Sequence, residues 1–365
     1  MRKQIPRILT IISVLVLFLF LWWAEANLDP YLRRILNLIA INIIWAVTFN
    51  LIYGYTGQFS LGHAGFIAIG AYVTALLTLS PAQKEQSYFL SPCIWPLSNI
   101  QWPFLPSLIL GALLAGVFGI LIGIPSLQLH GDYMALVTLG FAEVIRVINM
   151  NLQSITNGSL GLKGIPEYTN LFWSWGCAIF TIFIIRMLGN SSYGRAFKAI
   201  REDEIAAETA GISIFHHKLM AFVIAAMFTG LGGGLFANLI STIDPNLFSF
   251  LLSYQVLTVL VLGGVGSITG NVLASIIYVS LFELLRPIDQ PMTFGNLTIP
   301  GRPGMRMVIF SIIFVLVILF YRRGLMGSSE FSWRWLLSKL PGLQPPPPAP
   351  PPTLGEGNLN RGRQE

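Results

Sequence analysis

From about residue 8 to residue 321 the chain is a succession of apolar runs, most of them long enough to cross a bilayer, joined by short polar connections. About 20 residues of helix span a hydrocarbon core, and no backbone N–H or C=O inside it can go unpaired, so such a chain is restricted to a bundle of membrane-spanning helices. One interruption differs in kind. Residues 190–217, NSSYGRAFKAIREDEIAAETAGISIFHH, form a long polar stretch between two runs that could each span. Composition agrees: 54% of the 365 residues are hydrophobic and 10% charged, where a soluble domain carries about 25% charged residues. The net charge of +6 would suggest nucleic acid in a soluble protein. Here Lys and Arg gather at the ends of spans, where orientation in the membrane explains them, and no nucleic-acid partner is indicated.

Residues 8–23 follow Arg2, Lys3 and Arg7 and read either as a signal peptide, with Ala24-Glu25-Ala26 imitating a cleavage site, or as a retained first span. The length of the apolar run and the interfacial Trp22-Trp23 favour the span. A second span over 34–53 leads into Gly54-Tyr55-Thr56-Gly57-Gln58-Phe59-Ser60-Leu61-Gly62-His63-Ala64-Gly65, after which apolar sequence resumes to Leu79. Backbone freed from helical bonding at membrane depth must be buried in protein or line a wet cavity, which makes this break a candidate pathway. Tyr55, Gln58, Ser60 and His63 are its polar candidates, with His63 read as a packing histidine before a proton relay.

Residues 81–104 read as a loop with interfacial aromatics, and 105–124 as a fourth span whose Gly119 and Gly123 have G-x-x-x-G spacing, taken as packing within one chain. A fifth span carries Glu143 and Arg146, three residues apart and able to pair on one face; substrate contact is the sharper alternative. The loop 151–170 is too polar to cross, and a sixth span covers 171–189. Beyond the polar stretch, 219–243 is a seventh span. Then Gly263, Gly264 and Gly266 interrupt two short apolar pieces, 252–265 and 268–285. Two Gly-broken segments, one in each half, are the pattern expected around a translocation site. A tenth span, 305–321, ends at Arg322-Arg323. Ten crossings put both termini and the 190–217 stretch on one side, and the charge bias makes that side the cytoplasm. A transmembrane domain is therefore expected over 1–323, and a Pro-rich, disordered cytoplasmic tail over 324–365. Cys93 and Cys177 have neither metal-ligand nor redox spacing and are read as structural, and no metal site is expected.

Within the polar stretch, Glu202, Asp203 and Glu204 precede Ile205-Ala206-Ala207-Glu208-Thr209-Ala210, with Gly211 behind. Acids before an Ala-rich run and Gly after it predict a short exposed helix. On composition alone it is equally a solvated connector.

Four stretches in order, GYTGQFSLGHAGFIAIGAY (54–72), LHGDYMALVTLGFAEVIR (129–146), GRAFKAIREDEIAAETAGI (194–212) and VLVLGGVGSITG (259–270), resemble the LivM-type permeases of branched-chain and other hydrophobic amino acid ABC importers. NGSLGLKGIP (157–166) is similar to that family as well. The resemblance implies an ABC-importer permease fold in the plasma (inner) membrane, and it makes the 190–217 stretch the loop that couples to an ATPase. Arg195, Arg201, Glu202, Asp203, Glu204, Ala206, Ala207 and Gly211 are the coupling candidates. It also implies a second homologous permease, two ATP-binding subunits and a periplasmic binding protein as partners. ATP and magnesium would be held by the ATP-binding subunits, and this chain has no Walker A pattern. Urea is the alternative cargo. A membrane-embedded enzyme is the alternative class, and it would need acid or His clusters inside the membrane that the sequence does not supply.

Overall fold

A computed structural model describes residues 5–88, 91–129, 131–289, 292–294, 297–299, 304–321, 323–327 and 329–330. Leu17–Glu330 forms the larger of the two units into which the chain divides. The polyproline stretch lies outside the described residues.

The helices in chain order are α1 (Ile5–Asn27), α2 (Pro30–Phe49) with a π-helical turn (Asn50–Tyr55) at its end, α3 (His63–Thr78), α4 (Pro81–Ser87), α5 (Phe104–Ser126), α6 (Asp132–Asn151) and α7 (Gln153–Thr156). They continue as α8 (Leu171–Asn190), α9 (Ser192–Glu202), α10 (Glu204–Thr209), α11 (Ile214–Ile240), α12 (Phe250–Gly263), α13 (Ile268–Leu284) and α14 (Met305–Phe320). Six are long and apolar enough to cross a bilayer. The count is seven if α3 and α4, bent by 116° at their junction, form one span. Among the described residues β structure is confined to two short antiparallel pairs, β1 (Leu162–Lys163) with β2 (Thr242–Ile243) and β3 (Met292–Phe294) with β4 (Leu297–Ile299). The chain is an all-α polytopic membrane protein.

Because lipid tails are as apolar as leucine, membrane helices gain little from hiding apolar surface and associate where small residues let backbones approach. The centre of the bundle, α11 packed against α3 and α5, is built this way. A Cβ on Gly70 of α3 would stand 1.9 Å from the carbonyl oxygen of Gly230 on α11, and one on Gly230 would stand 2.4 Å from the Ala115 methyl of α5. Gly119 and Gly123 of α5 face Ala226 and Phe222 of α11, so their spacing serves packing within the chain, as expected. Large rings fill the remaining space: Phe66 meets Phe222 edge-on at 5.5 Å and Trp45 meets Phe236 at 5.4 Å.

At one end of the bundle the connections are knitted together. β1 pairs with β2, and Asn157 donates to the carbonyls of Gly161 (2.7 Å) and Ser87 (3.1 Å). In α4, which carries a capping box from Ser80 and Gln83, Lys84 is buried and donates to the carbonyls of Leu97 (2.7 Å) and Ile100 (2.6 Å). Cys93 and Cys177 are free thiols, half-buried against the core.

At the other end the chain does not leave the bundle at Arg323. Leu325 and Met326 donate backbone N–H groups to the carbonyls of Leu262 (2.8 Å) and Gly263 (3.2 Å). The Glu330 carboxylate then accepts from the backbone N–H groups of Ile268 (2.6 Å) and Thr269 (3.2 Å) at the start of α13. Residues 324–327, 329 and 330, grouped with the tail on composition, are thus packed on the α12–α13 junction, with an acid at a helix N-terminus where its charge is favourable.

The close crossing at Gly70 generates a prediction. Gly70→Ala should destabilise the purified protein by about 1–3 kcal/mol through overpacking. Gly140→Ala, where a Cβ would meet nothing within 4 Å, should change it by less than about 1 kcal/mol. Thermal unfolding of both variants in detergent is the measurement, and equal effects would refute the packing assignment.

Candidate functional site

The two Gly-rich interruptions meet. After the π-turn that ends α2, residues 57–62 run without helical structure before α3 begins at His63. Between α12 and α13 lie Gly264–Ser267, with Gly264 and Gly266 at φ +107° and +94°. Asn50, fully buried in the π-turn, accepts through Oδ1 the backbone N–H of Gly266 at 2.8 Å. A Cβ on Gly54 would sit 1.9 Å from that Oδ1 and 2.7 Å from the Gly266 nitrogen, so only glycine lets the two backbones touch. A π-turn inside an α-helix leaves carbonyls without their usual i+4 partners. Here one of them, that of Gly54, accepts from Arg201 Nη1 at 2.6 Å.

Arg201 belongs to a polar hairpin made of α9 and α10. α9 is capped by Ser191, whose hydroxyl accepts from Gly194 N–H, and buries Phe197 and Ile200. Asp203 caps α10 by accepting from Ala206 N–H at 3.0 Å, and Gly211, at φ +82°, follows its end. This is the short helix the acids and the Ala-rich run predict, displaced by one residue to Glu204–Thr209. Within it Ala207 is buried, Ala206 is exposed and Ile205 is 77% exposed. The hairpin is tied down at its far side by Glu204, which pairs with Lys218 Nζ of α11 at 2.6 Å, while the carbonyl of the same Lys218 accepts from Gln58 at 3.2 Å. Arg195 and Glu202 point outward, Arg195 reaching no further than Ser192 Oγ at 2.8 Å.

Tyr55 is buried under Lys198, whose ammonium lies 5.5 Å from the ring centre. Gln58, Ser60 and His63 are all buried inside the chain. The hydrogen bonds around His63 settle its tautomer. Thr48 donates to the Trp45 carbonyl (2.9 Å) and Thr229 donates to Thr48 (3.0 Å), so His63 Nε2, 2.9 Å from Thr229 Oγ1, carries the proton and donates to it. With Phe49 against its ring at 4.7 Å, His63 ties α2, α3 and α11 together, as a packing histidine does. Glu143 and Arg146 pair at 2.7 Å on α6, and Arg146 also reaches Asn246 Oδ1 at 3.5 Å, which fastens α6 to the turn after β2.

Gly266 thus joins the first break through Asn50, Gly263 and Gly264 face Asn271 and Gly327 instead, and Glu143 and Arg146 lie apart on α6. Asn50 is the residue the sequence reading missed. A polar side chain in an apolar run four residues before the first break was the available signal. Asn271 was a second such signal, and it donates to the Ser267 carbonyl at 2.8 Å. Among the described residues no group of three or more His, Cys, Asp or Glu side chains could hold a metal ion.

Fold and site define a polytopic helical membrane protein in which two interrupted helices touch beneath a polar hairpin. Residues 31–318 match the family profile described as the permease component of the branched-chain amino acid transport system. The chain belongs to that family of membrane permeases. It is 34% identical over 290 residues to the high-affinity branched-chain amino acid transport system permease protein LivM of Escherichia coli K12, covering 70% of this chain and 64% of the relative. To the probable LivM permease of Methanocaldococcus jannaschii it is 24% identical over 327 residues, 79% of this chain and 92% of that one. A LivH permease protein of Salmonella typhimurium is 23% identical over 270 residues, 68% of this chain and 83% of that relative. The chain thus spans slightly less than two thirds of the E. coli LivM protein. No solved structure matches.

If Asn50 joins the two breaks, Asn50→Leu should strand the buried Gly266 N–H and destabilise the protein by about 1–3 kcal/mol. Thermal unfolding in detergent checks it, and an unchanged midpoint would show that the contact contributes nothing.

Proposed function

We propose that this chain is a membrane-spanning permease subunit of an ATP-driven importer that carries branched-chain or other neutral, hydrophobic amino acids. It works beside a second, homologous permease, two ATP-binding subunits and a periplasmic binding protein. The family and the names of its relatives support the cargo and favour it over urea, and the LivM and LivH likenesses support a pair of permeases. The family is one of transport permeases and not of enzymes. ATP and magnesium belong, in this reading, to the partner subunits.

Ten crossings of the inner membrane complete the topology. The six long helices and the α3–α4 pair account for seven, and the shorter apolar helices Ile12–Asn27, Phe250–Gly263 and Met305–Val317 supply three more. With the basic residues Arg195, Lys198 and Arg201 on the hairpin and Lys218 at the start of α11, that end of the bundle lies in the cytoplasm, together with both termini.

The observation that carries the reading is the hairpin itself. Its capped helix α10 shows Ile205 to solvent at 77% exposure, an apolar side chain on an otherwise polar surface and a natural contact for a protein partner. The same hairpin is bonded directly to Gly54 through Arg201, and through its Glu204 to Lys218 of α11, whose carbonyl accepts from Gln58. ATPase closure would push on residues 195–211 and re-angle the helices around the two breaks, giving two states whose balance nucleotide shifts. Gln58, Ser60 and His63 are enclosed by the chain, so they act on the pathway by fixing where α3 begins. The pathway then runs along the face shared with the second permease.

Two results are expected. Cells lacking this chain should lose uptake of radiolabelled leucine and regain it on complementation, with urea uptake unaffected; restored urea uptake instead would move the cargo to the alternative. Ile205→Glu should reduce co-purification of the ATP-binding subunits about tenfold or more, the loss expected of a buried apolar anchor. Full retention would remove α10 from the docking surface.

A further inference from the structure

Arg201 stands apart from the other charges of the hairpin. Arg195, Glu202 and Glu208 stay at the surface and Asp203 caps α10, whereas the Arg201 side chain, 34% exposed, turns inward to the Gly54 carbonyl. Its nearest acid is Glu202 at 3.9 Å, itself 79% exposed, and an ion pair so long and so wet contributes little. The short bond to Gly54 is therefore what holds the guanidinium. Physically it suits the place: the end of α2 has carbonyls left over by the π-turn and the negative pole of the helix dipole, both of which favour a cation. Lys198, one turn earlier on α9, sits over Tyr55 of the same π-turn. Two cations of α9 thus grip the end of α2.

The second break closes around the same guanidinium. A Cβ on Gly266 would lie 3.0 Å from Arg201 Nη1, and one on Gly57 would lie 3.4 Å from Arg201 Cγ. Gly266 is in turn bonded to Asn50, which lies one turn before Gly54. Arg201 is thus bonded to residue 54 and lies close to 57 and 266, backbone positions from both interrupted helices. The glycines have no side chain of their own to interpose, so movement of α9 can reach these backbones through the Arg201 side chain.

We infer that Arg201 is a positioning residue for transport, carrying movement of the polar hairpin into both interrupted helices through its bond to the Gly54 carbonyl, and not a residue that docks the ATP-binding subunits. This rests on the importer reading given above. It separates two jobs within one loop: α10 meets the partner, and the last turn of α9 passes the movement on.

The test uses the complete complex, with its ATP-binding and binding-protein partners, reconstituted in liposomes. The readouts are leucine uptake, ATP hydrolysis and the amount of ATP-binding subunit retained. Arg201→Ala should keep the ATP-binding subunits and go on hydrolysing ATP, while leucine carried per ATP falls about tenfold or more, the scale of losing one charge-assisted hydrogen bond. Arg201→Lys keeps the charge but not the planar fork, and should restore part of that ratio. Leucine per ATP within about twofold of the parent, about a fifth of that tenfold loss, would overturn the inference. So would loss of the ATP-binding subunits from the Arg201→Ala complex, because Arg201 would then be a docking residue. Should Arg201→Ala fail to assemble, Arg201→Met keeps the aliphatic stem beside Gly57 without the bond to the Gly54 carbonyl. It should uncouple in the same way, and coupled uptake by it would count equally against the link. Failure of the importer reading itself looks different: the parent complex would then hold no ATP-binding subunit or move no leucine.

Discussion

A backbone group inside a bilayer must find its partner within the protein, and the architecture of this chain depends on how it meets that demand where two helices stop. At the first break the Gly54 carbonyl is taken by Arg201, and at the second the Gly266 N–H is taken by Asn50. Each interruption supplies a partner for the other or receives one from the hairpin. The C-terminal residues add to the same closure, with Leu325 and Met326 bonded to the end of α12 and Glu330 to the start of α13. The irregular backbone is therefore over-determined by its neighbours, the condition under which such geometry persists.

The rest of the bundle gives that junction a rigid frame. Gly70, Gly230 and Ala115 bring α3, α11 and α5 into backbone contact, and the chain of hydrogen bonds from His63 through Thr229 and Thr48 to the Trp45 carbonyl fixes α3 against α2 and α11 just beyond the break. Close packing transmits displacement where a looser core would absorb it. The hairpin is held against that frame at two places, by Arg201 on the Gly54 carbonyl and by Glu204 on Lys218 of α11.

Much of this was legible in the residues. The apolar runs, the two Gly-rich interruptions and the polar hairpin all follow from local pattern, because hydropathy, glycine and helix caps act over a few neighbouring residues. The Asp203 cap and the Gly211 terminus of α10 fall within one residue of where composition puts them. What local pattern could not show was direction. Arg201 and Arg195 are six residues apart on one helix, equally basic, yet one enters the protein and the other faces water. Lys84 looks like any loop lysine until two carbonyls from residues 97 and 100 enclose it. Residues 324–327, 329 and 330 read as the start of a tail because their partners, 262–269, lie some 60 positions away.

The amino-acid order by itself determined that this chain lives in a membrane, that its helices break twice at glycine and that one loop carries the charge, since each of these is set by the solvation of neighbouring residues. Only the tertiary structure decided that the two breaks touch, that Asn50 joins them and that Arg201 reaches both. Those contacts link residues separated by 147 and 216 positions. Pairings at that range come from the way whole helices pack, which no local run of sequence encodes.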